Sequence, residues 1–163
     1  ANLTSANLGR YLDVRELGQV NATTLRELEQ AGAPAPSFLL TTPQQSWLLS
    51  LNEQGRARMA VAGHGHSTAW QELDVAIAHT LILEDLLNLQ AADLTAGQCV
   101  RYTHDVQEAL NALKQGTAQA ALFLNATRVR QICEIADADD QMPQKSTYFY
   151  PKLITGLVLN PLW

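Results

Sequence analysis

The chain has 163 residues, 47% of them hydrophobic, which is enough to bury a proper core as one domain, or as one domain with a small appendage. Its net charge of −5, from 11 Lys and Arg against 16 Asp and Glu, disfavours a nucleic-acid surface that works by phosphate neutralisation. No apolar run approaches the ~20 residues of a bilayer span and no basic start leads into an apolar signal segment, so the expectation is a cytoplasmic protein with no membrane partner.

Residues 1–22 carry little pattern beyond Leu8, Tyr11, Leu12, Val14 and Leu17, which suit a strand or a loose arm. Thr23 or Thr24 can cap a helix carrying Leu25 and Leu28, with Gly32 as its stop and Ala33-Pro34-Ala35-Pro36 as a break. Ser37 to Thr42 and Trp47 to Leu51 are β-prone runs around Pro43-Gln44-Gln45-Ser46, the pattern of an antiparallel hairpin. Glu53 to Ser67 is polar and contains glycine, and reads as a solvated, mobile loop. Its Gly63-His64-Gly65-His66 lacks a third metal ligand, so no metal is expected there. From Thr68 to Asn88, Leu73, Ile77, Leu81 and Leu83 to Leu87 recur at helical spacing, which predicts one long central helix with His79 as a structural residue on it.

In the last third, Gln98 to Thr103 reads as a strand and Asp105-Val106-Gln107-Glu108 as a capping box opening a helix that ends at Gly116. Ala118 to Leu124 is an apolar run of strand length. A helix over Arg128 to Ala136 follows, with Val129, Ile132, Cys133, Ile135 and Ala136 facing inward, and Ile154 to Leu159 supplies a last strand. The expected fold class is therefore α/β, with α+β as the variant: a parallel or mixed sheet of βαβαβ order in the C-terminal part and an antiparallel hairpin in the N-terminal part. Residues 1–67 form the N-terminal mixed segment and 68–163 the α/β domain, packed as one unit. The start at Ala1 instead of Met suggests a piece of a longer protein. Cys99 and Cys133 are far apart, without CxxC spacing and beside apolar neighbours, the setting of buried free thiols.

The stretch richest in chemistry is Met142-Pro143-Gln144-Lys145-Ser146-Thr147-Tyr148-Phe149-Tyr150-Pro151-Lys152. Its bounding prolines restrict the backbone and exclude ordinary helix, while Lys145, Ser146 and Thr147 offer adjacent donors to an anion. With strands ending near them, His104, Asn125 and Thr127 can converge with that loop and Lys152 on one phosphate, since open α/β sheets bind ligands at the carboxyl ends of their strands. Against that stand plainer readings: Asp105 and Thr127 as ordinary helix caps, and Tyr148, Phe149 and Tyr150 as core anchors. No GxxxxGK[ST], GxGxxG or GxSxG motif is present, so the familiar nucleotide and hydrolase cradles are unsupported, and no catalytic residue is assigned.

Tyr102-Thr103-His104-Asp105, Ala120-Ala121-Leu122-Phe123-Leu124-Asn125, the Met142 to Leu153 stretch and Thr155-Gly156-Leu157-Val158 resemble the C-terminal half of the bacterial domain of unknown function number 1015 family. Leu73-Asp74-Val75 and Leu81-Ile82-Leu83-Glu84 fit the same family, and the likeness runs from about Trp70 to Leu162. Full-length members carry an Asp-Gly-His-His-Arg motif in an N-terminal half, similar to that of the ParB and sulfiredoxin-like fold, in which some proteins resemble kinases acting on free serine. This chain lacks that motif. The resemblance thus implies a C-terminal domain of a small-molecule, amino-acid-like phosphotransferase, inactive alone. Its partners would be its own missing N-terminal half and a small-molecule or nucleotide ligand, with ATP and Mg²⁺ as cofactors of the longer protein only. The alternative is a non-catalytic module that completes a fold or self-associates.

Overall fold

The computed structural model describes residues 3–89, 99–143 and 146–147. Four strands form one sheet: β1 (Leu12–Leu17), β2 (Ser37–Thr41), β3 (Ser46–Leu51) and β4 (Ala121–Leu124). Their order is β1-β3-β2-β4 and every pairing is antiparallel, with Leu40 opposite Trp47 and Phe38 opposite Leu124. The N-terminal hairpin stands as expected. The parallel or mixed sheet of βαβαβ order does not: Cys99–Thr103 forms no strand, and β4 pairs with β2 from the first half of the chain. An apolar run such as Ala121–Leu124 carries no directional information, and β2 had one edge left open by the hairpin. The expected strand over Ile154 to Leu159 lies outside the described residues.

Both faces of the sheet are covered, which is why β2 is buried along its whole length and reads as a continuous apolar run. Side chains alternate between the faces. On one side Phe38, Leu40, Trp47, Leu49 and Leu51 join Leu8, Met59, Leu73, Ile77, Leu81, Ile82 and Ile135 in the main core. On the other, Leu39 and Leu48 meet Leu28 of helix α2 (Ala22–Ala31) in a smaller cluster. The hydroxyls caught in the central strands satisfy each other, Ser37 with Ser50 at 3.0 Å and Thr41 with Ser46 at 2.8 Å.

The helices depart from expectation in instructive ways. A short helix α1 (Ser5–Leu8) is capped by Thr4, whose side chain accepts the Asn7 N–H. In α2 the cap is Asn21, not Thr23 or Thr24. Its Oδ1 accepts the N–H groups of Thr23 and Thr24, while the Asn21 N–H donates to Thr24 Oγ1. Where a loop was expected, α3 (Glu53–Ala62) forms, capped by Asn52 through the Gly55 N–H at 2.9 Å. Its sequence hides it because it buries only Gly55 and Met59, too few to leave an apolar stripe.

The long helix expected over 68–88 is broken into α4 (Thr68–Gln71), α5 (Asp74–Ile77) and a π-wound helix α6 (Ala78–Leu86). Glu72 and Leu73 leave the helix between the first two pieces, and Leu87 N donates to Ile82 O, five residues back. Arg58 of α3 grips Asp85 of α6 through two bonds of 2.7 and 3.0 Å, which ties the π segment to its neighbour. Helices α7 (Val106–Lys114) and α8 (Val129–Asp137) lie where the sequence places them, and Asp105 caps α7. The inward face predicted for α8 is narrower than the pattern implies. Ile135 is buried and Ile132 half-buried, while Val129, Cys133 and Ala136 are exposed. Both cysteines are free, but they are exposed and not buried, because apolar sequence neighbours on a helix or bend point in different directions from the thiol.

Candidate active cleft

A cleft of about 300 Å³ opens off the end of the sheet, just where β4 finishes and β2 begins. Five segments build it: the Gly32–Pro36 turn after α2, Arg56 of α3, the α4–α5 corner with Ala69, Glu72 and Asp74, the Asn125–Arg128 link from β4, and Gln131 and Glu134 of α8. Local sequence explains each placement. The Ala33-Pro34-Ala35-Pro36 run cannot continue α2, so it turns outward into the wall. The break at Glu72 and Leu73 puts Asp74 in the first turn of α5, ahead of three residues that bind the core. Arg128 stands at the extended position before α8, where its N–H donates to Gln131 Oε1 at 2.8 Å.

The lining mixes two guanidiniums with three carboxylates. Arg128 donates to Gly32 O at 3.0 Å, and Arg56 stands 3.8 Å from Glu72. Asp74 differs from the rest. Its carboxyl is half-buried, and among the described residues it has no hydrogen-bond or ion-pair partner. Burial pushes it up to about 6, and the charge of Arg128 offsets only part of that shift. A perturbed carboxyl in a charged cleft is the pattern of a functional group.

The residues singled out in the sequence fall as follows. Asn125 lines this cleft and donates through Nδ2 to Leu28 O at 3.3 Å. Its carboxamide presses so closely on Gly32 that a Cβ there would collide with it. Thr127 is not the cap of α8. Its hydroxyl donates to Ser146 O at 2.9 Å and thereby brings Ser146 beside the start of α8. Ser146 Oγ donates to Pro143 O at 2.6 Å, and Thr147 is exposed. His104 is exposed, one residue before the Asp105 cap. Lys145 and Lys152 lie outside the described residues, as do Tyr148, Phe149 and Tyr150. Sequence reasoning missed Asp74, Arg56 and Arg128. The available signal was Leu73-Asp74-Val75-Ala76-Ile77, a carboxylate set in an otherwise apolar run.

A second polar cluster joins distant parts of the chain. Asp140 accepts the Ser67 N–H at 2.7 Å and the Gln141 N–H at 2.7 Å, and pairs with His66 Nδ1 at 2.9 Å. The His66 ring lies flat on Trp70, with centroids 4.0 Å apart. The expectation of a mobile His64–His66 loop therefore fails for His66, which a carboxylate 74 residues away holds in place. These donors, the Ser67 amide foremost, hold the Asp140 carboxyl well below the usual carboxylate range. On α6, His79 lies 3.3 Å from the Tyr102 hydroxyl, and burial lowers its basicity.

No family model matches this chain. Neither does any curated protein or solved structure. Among the described residues no helix is long and apolar enough to cross a membrane, and no three His, Cys, Asp or Glu side chains group closely enough to hold a metal ion. The cleft does not fit Mg²⁺: that ion takes an octahedron of oxygens, whereas Arg56 and Arg128 stand among the carboxylates here.

Proposed function

We propose that this chain is a ligand-binding domain whose cleft holds a small polar molecule, and that in a longer protein of the kind the family resemblance implies it presents an amino-acid-like acceptor for phosphoryl transfer. The observation that carries the reading is Asp74. Withdrawing a carboxyl from water without a partner is unfavourable, and a ligand able to partner it recovers that lost interaction. The surrounding guanidiniums favour a ligand that also bears an acidic group. A donor nucleotide and its Mg²⁺ belong, on this reading, to the upstream half that the resemblance implies.

The test is ligand-induced stabilisation of the purified chain. One of a panel of α-amino acids should raise the melting temperature in proportion to the logarithm of its concentration, and Arg128→Gln should move that response to about tenfold higher concentration or beyond. A flat response to the whole panel would defeat the proposal.

A second reading, a non-catalytic module that completes a longer fold or pairs with itself, draws on a different observation. The Thr127 and Ser146 hydroxyls are already donated to main-chain carbonyls, so the described part of the loop keeps those protons to itself. That reading expects no ligand response, together with concentration-dependent sedimentation.

A further inference from the structure

The cleft has a polarity that goes further than a preference for small polar molecules. Asp74 lines it half-buried and without a hydrogen-bond partner among the described residues, while Arg128 lines it exposed and bonded to the Gly32 carbonyl through Nη2. Four other charged side chains line the cleft among the described residues. Arg56 of α3 is near Glu72 from the α4–α5 corner, Glu134 projects from α8, and Arg128 precedes that helix. The charge of Arg128 reaches Asp74 and offsets only part of the effect of burial, and no hydrogen-bond or ion-pair partner among the described residues meets the Asp74 carboxyl.

We propose that Asp74 is the specificity-determining residue of the cleft, accepting hydrogen bonds from a protonated amine on the ligand, while Arg128 takes an acidic group on the same molecule. This rests on the proposed binding function and adds the ligand's charge pattern and orientation. A neutral or purely anionic molecule would leave the Asp74 carboxylate unpaired and desolvated further, so it is rejected by the same group that attracts the zwitterion. Glu72 and Glu134 are each paired with an arginine, Arg56 at 3.8 Å and Arg130 at 2.6 Å, which leaves Asp74 as the carboxyl without a pair among the described lining residues, and Gln131 and Asn125 supply neutral donors and acceptors for the rest of the ligand.

Pairing with an ammonium group favours the ionised carboxylate, so binding draws the Asp74 proton off wherever the free protein still holds it. Because burial places that carboxyl at about 6, ligand binding at pH 6 should release about half a proton, and at pH 8 almost none.

The experiment is calorimetric titration of the whole chain with the α-amino acid that stabilises it most, with its N-acetyl derivative and with its methyl ester, at pH 6 and pH 8 in buffers of different ionisation enthalpy. Binding of the parent compound with proton release at pH 6, and a loss of about tenfold to a hundredfold on blocking either end, is the expected result. Asp74→Asn should bind the parent and the N-acetyl compound alike and release no proton, whereas Asp74→Glu should keep part of the preference. If the N-acetyl derivative binds wild type as well as the parent does, the ammonium assignment is wrong while the cleft reading survives. If binding disappears in Arg128→Gln but is untouched in Asp74→Asn, the cleft is simply an anion site and the inference is likewise overturned. If no compound binds at all, both it and the proposed function fall.

Discussion

Two aspartates in this molecule are pulled in opposite directions. Asp140, in the clamp between the 66–71 and 138–141 segments, receives two backbone N–H groups and the His66 ring, and its carboxyl stays ionised into strong acid. Asp74, in the cleft, receives none among the described residues, and burial raises its carboxyl to about 6. Desolvation is tolerable in the first place because fixed donors replace the water. In the second no donor among the described residues replaces the water and Arg128 offsets only part of the cost, which points to the cleft as a place where a ligand would be bound. The central strands behave like Asp140: Ser37 with Ser50 and Thr41 with Ser46 are paired internally. These hydroxyls are satisfied within the sheet, although the buried Trp47 Nε1 in the same strand has no partner among the described residues, and neither has the Asp74 carboxyl.

That contrast can be tested, first by removing the uncompensated charge. Asp74→Asn should cost the ligand about a hundredfold in affinity and yet stabilise the free protein at neutral pH. The folded carboxyl titrates at about 6 against an ordinary 3.8, so the folded chain retains a proton that the unfolded chain gives up between those values. The associated penalty is absent below about pH 4, grows from pH 4 to pH 6 and is complete above. With partial solvent access taken into account, relief of that penalty is roughly 2 kcal/mol. Urea melts of both proteins at pH 4 and pH 7.5 check it. A variant less stable than wild type at pH 7.5 would mean that Asp74 has a partner after all.

Removing the compensated carboxylate should do the reverse. Asp140→Ala leaves the Ser67 and Gln141 amides and the His66 ring without their acceptor, so the melting temperature should fall at every pH from 5 to 9. The lowered carboxyl contributes stability that is present above the ordinary carboxylate range and is lost only in strong acid. The wild-type advantage should accordingly persist down to about pH 4. Near-ultraviolet dichroism from Trp70 should change in parallel as the stacked His66 is released.

A smaller effect is expected from Arg128→Gln. It should weaken ligand binding by about tenfold or more through loss of a charged hydrogen bond. Stability should change by less than ~1 kcal/mol, because the residue is exposed and its bond to Gly32 O is partly replaceable. The smallest effect belongs to His66→Gln, which keeps a donor near Asp140 and loses only the half-exposed stack on Trp70. Its cost should stay below ~1 kcal/mol, and a larger one would show that the imidazole, and not the Ser67 amide, carries the clamp.

Several features were legible in the chain because they are written in neighbouring residues. The β2–β3 hairpin follows from two apolar runs around Pro43-Gln44-Gln45, and α7 from the Asp105 cap and the Gly116 stop. The end of α2 follows from Gly32 and the two prolines. Asn125 drew notice as a polar residue at a strand end, and it does line the cleft. Helix α3 was hidden because only Gly55 and Met59 are buried on it, and the break before Asp74 was hidden because Leu73, within the break, keeps helical spacing with Ile77 and Leu81 after it.

Local chemistry by itself determined where the chain could be extended, where it could coil and where it had to turn, since propensity, capping and alternation act over a few residues. Only the tertiary structure decided which strand β4 would meet. Its four residues suit a parallel or an antiparallel neighbour equally, and the open edge of β2, about 80 positions earlier, settled the matter. The same holds for the two aspartates. The apolar neighbours of Asp74 mark it as a carboxylate drawn toward the core, but which aspartate would gather three donors and which would face a cleft was not written beside either, because pairing is a property of the assembled surroundings.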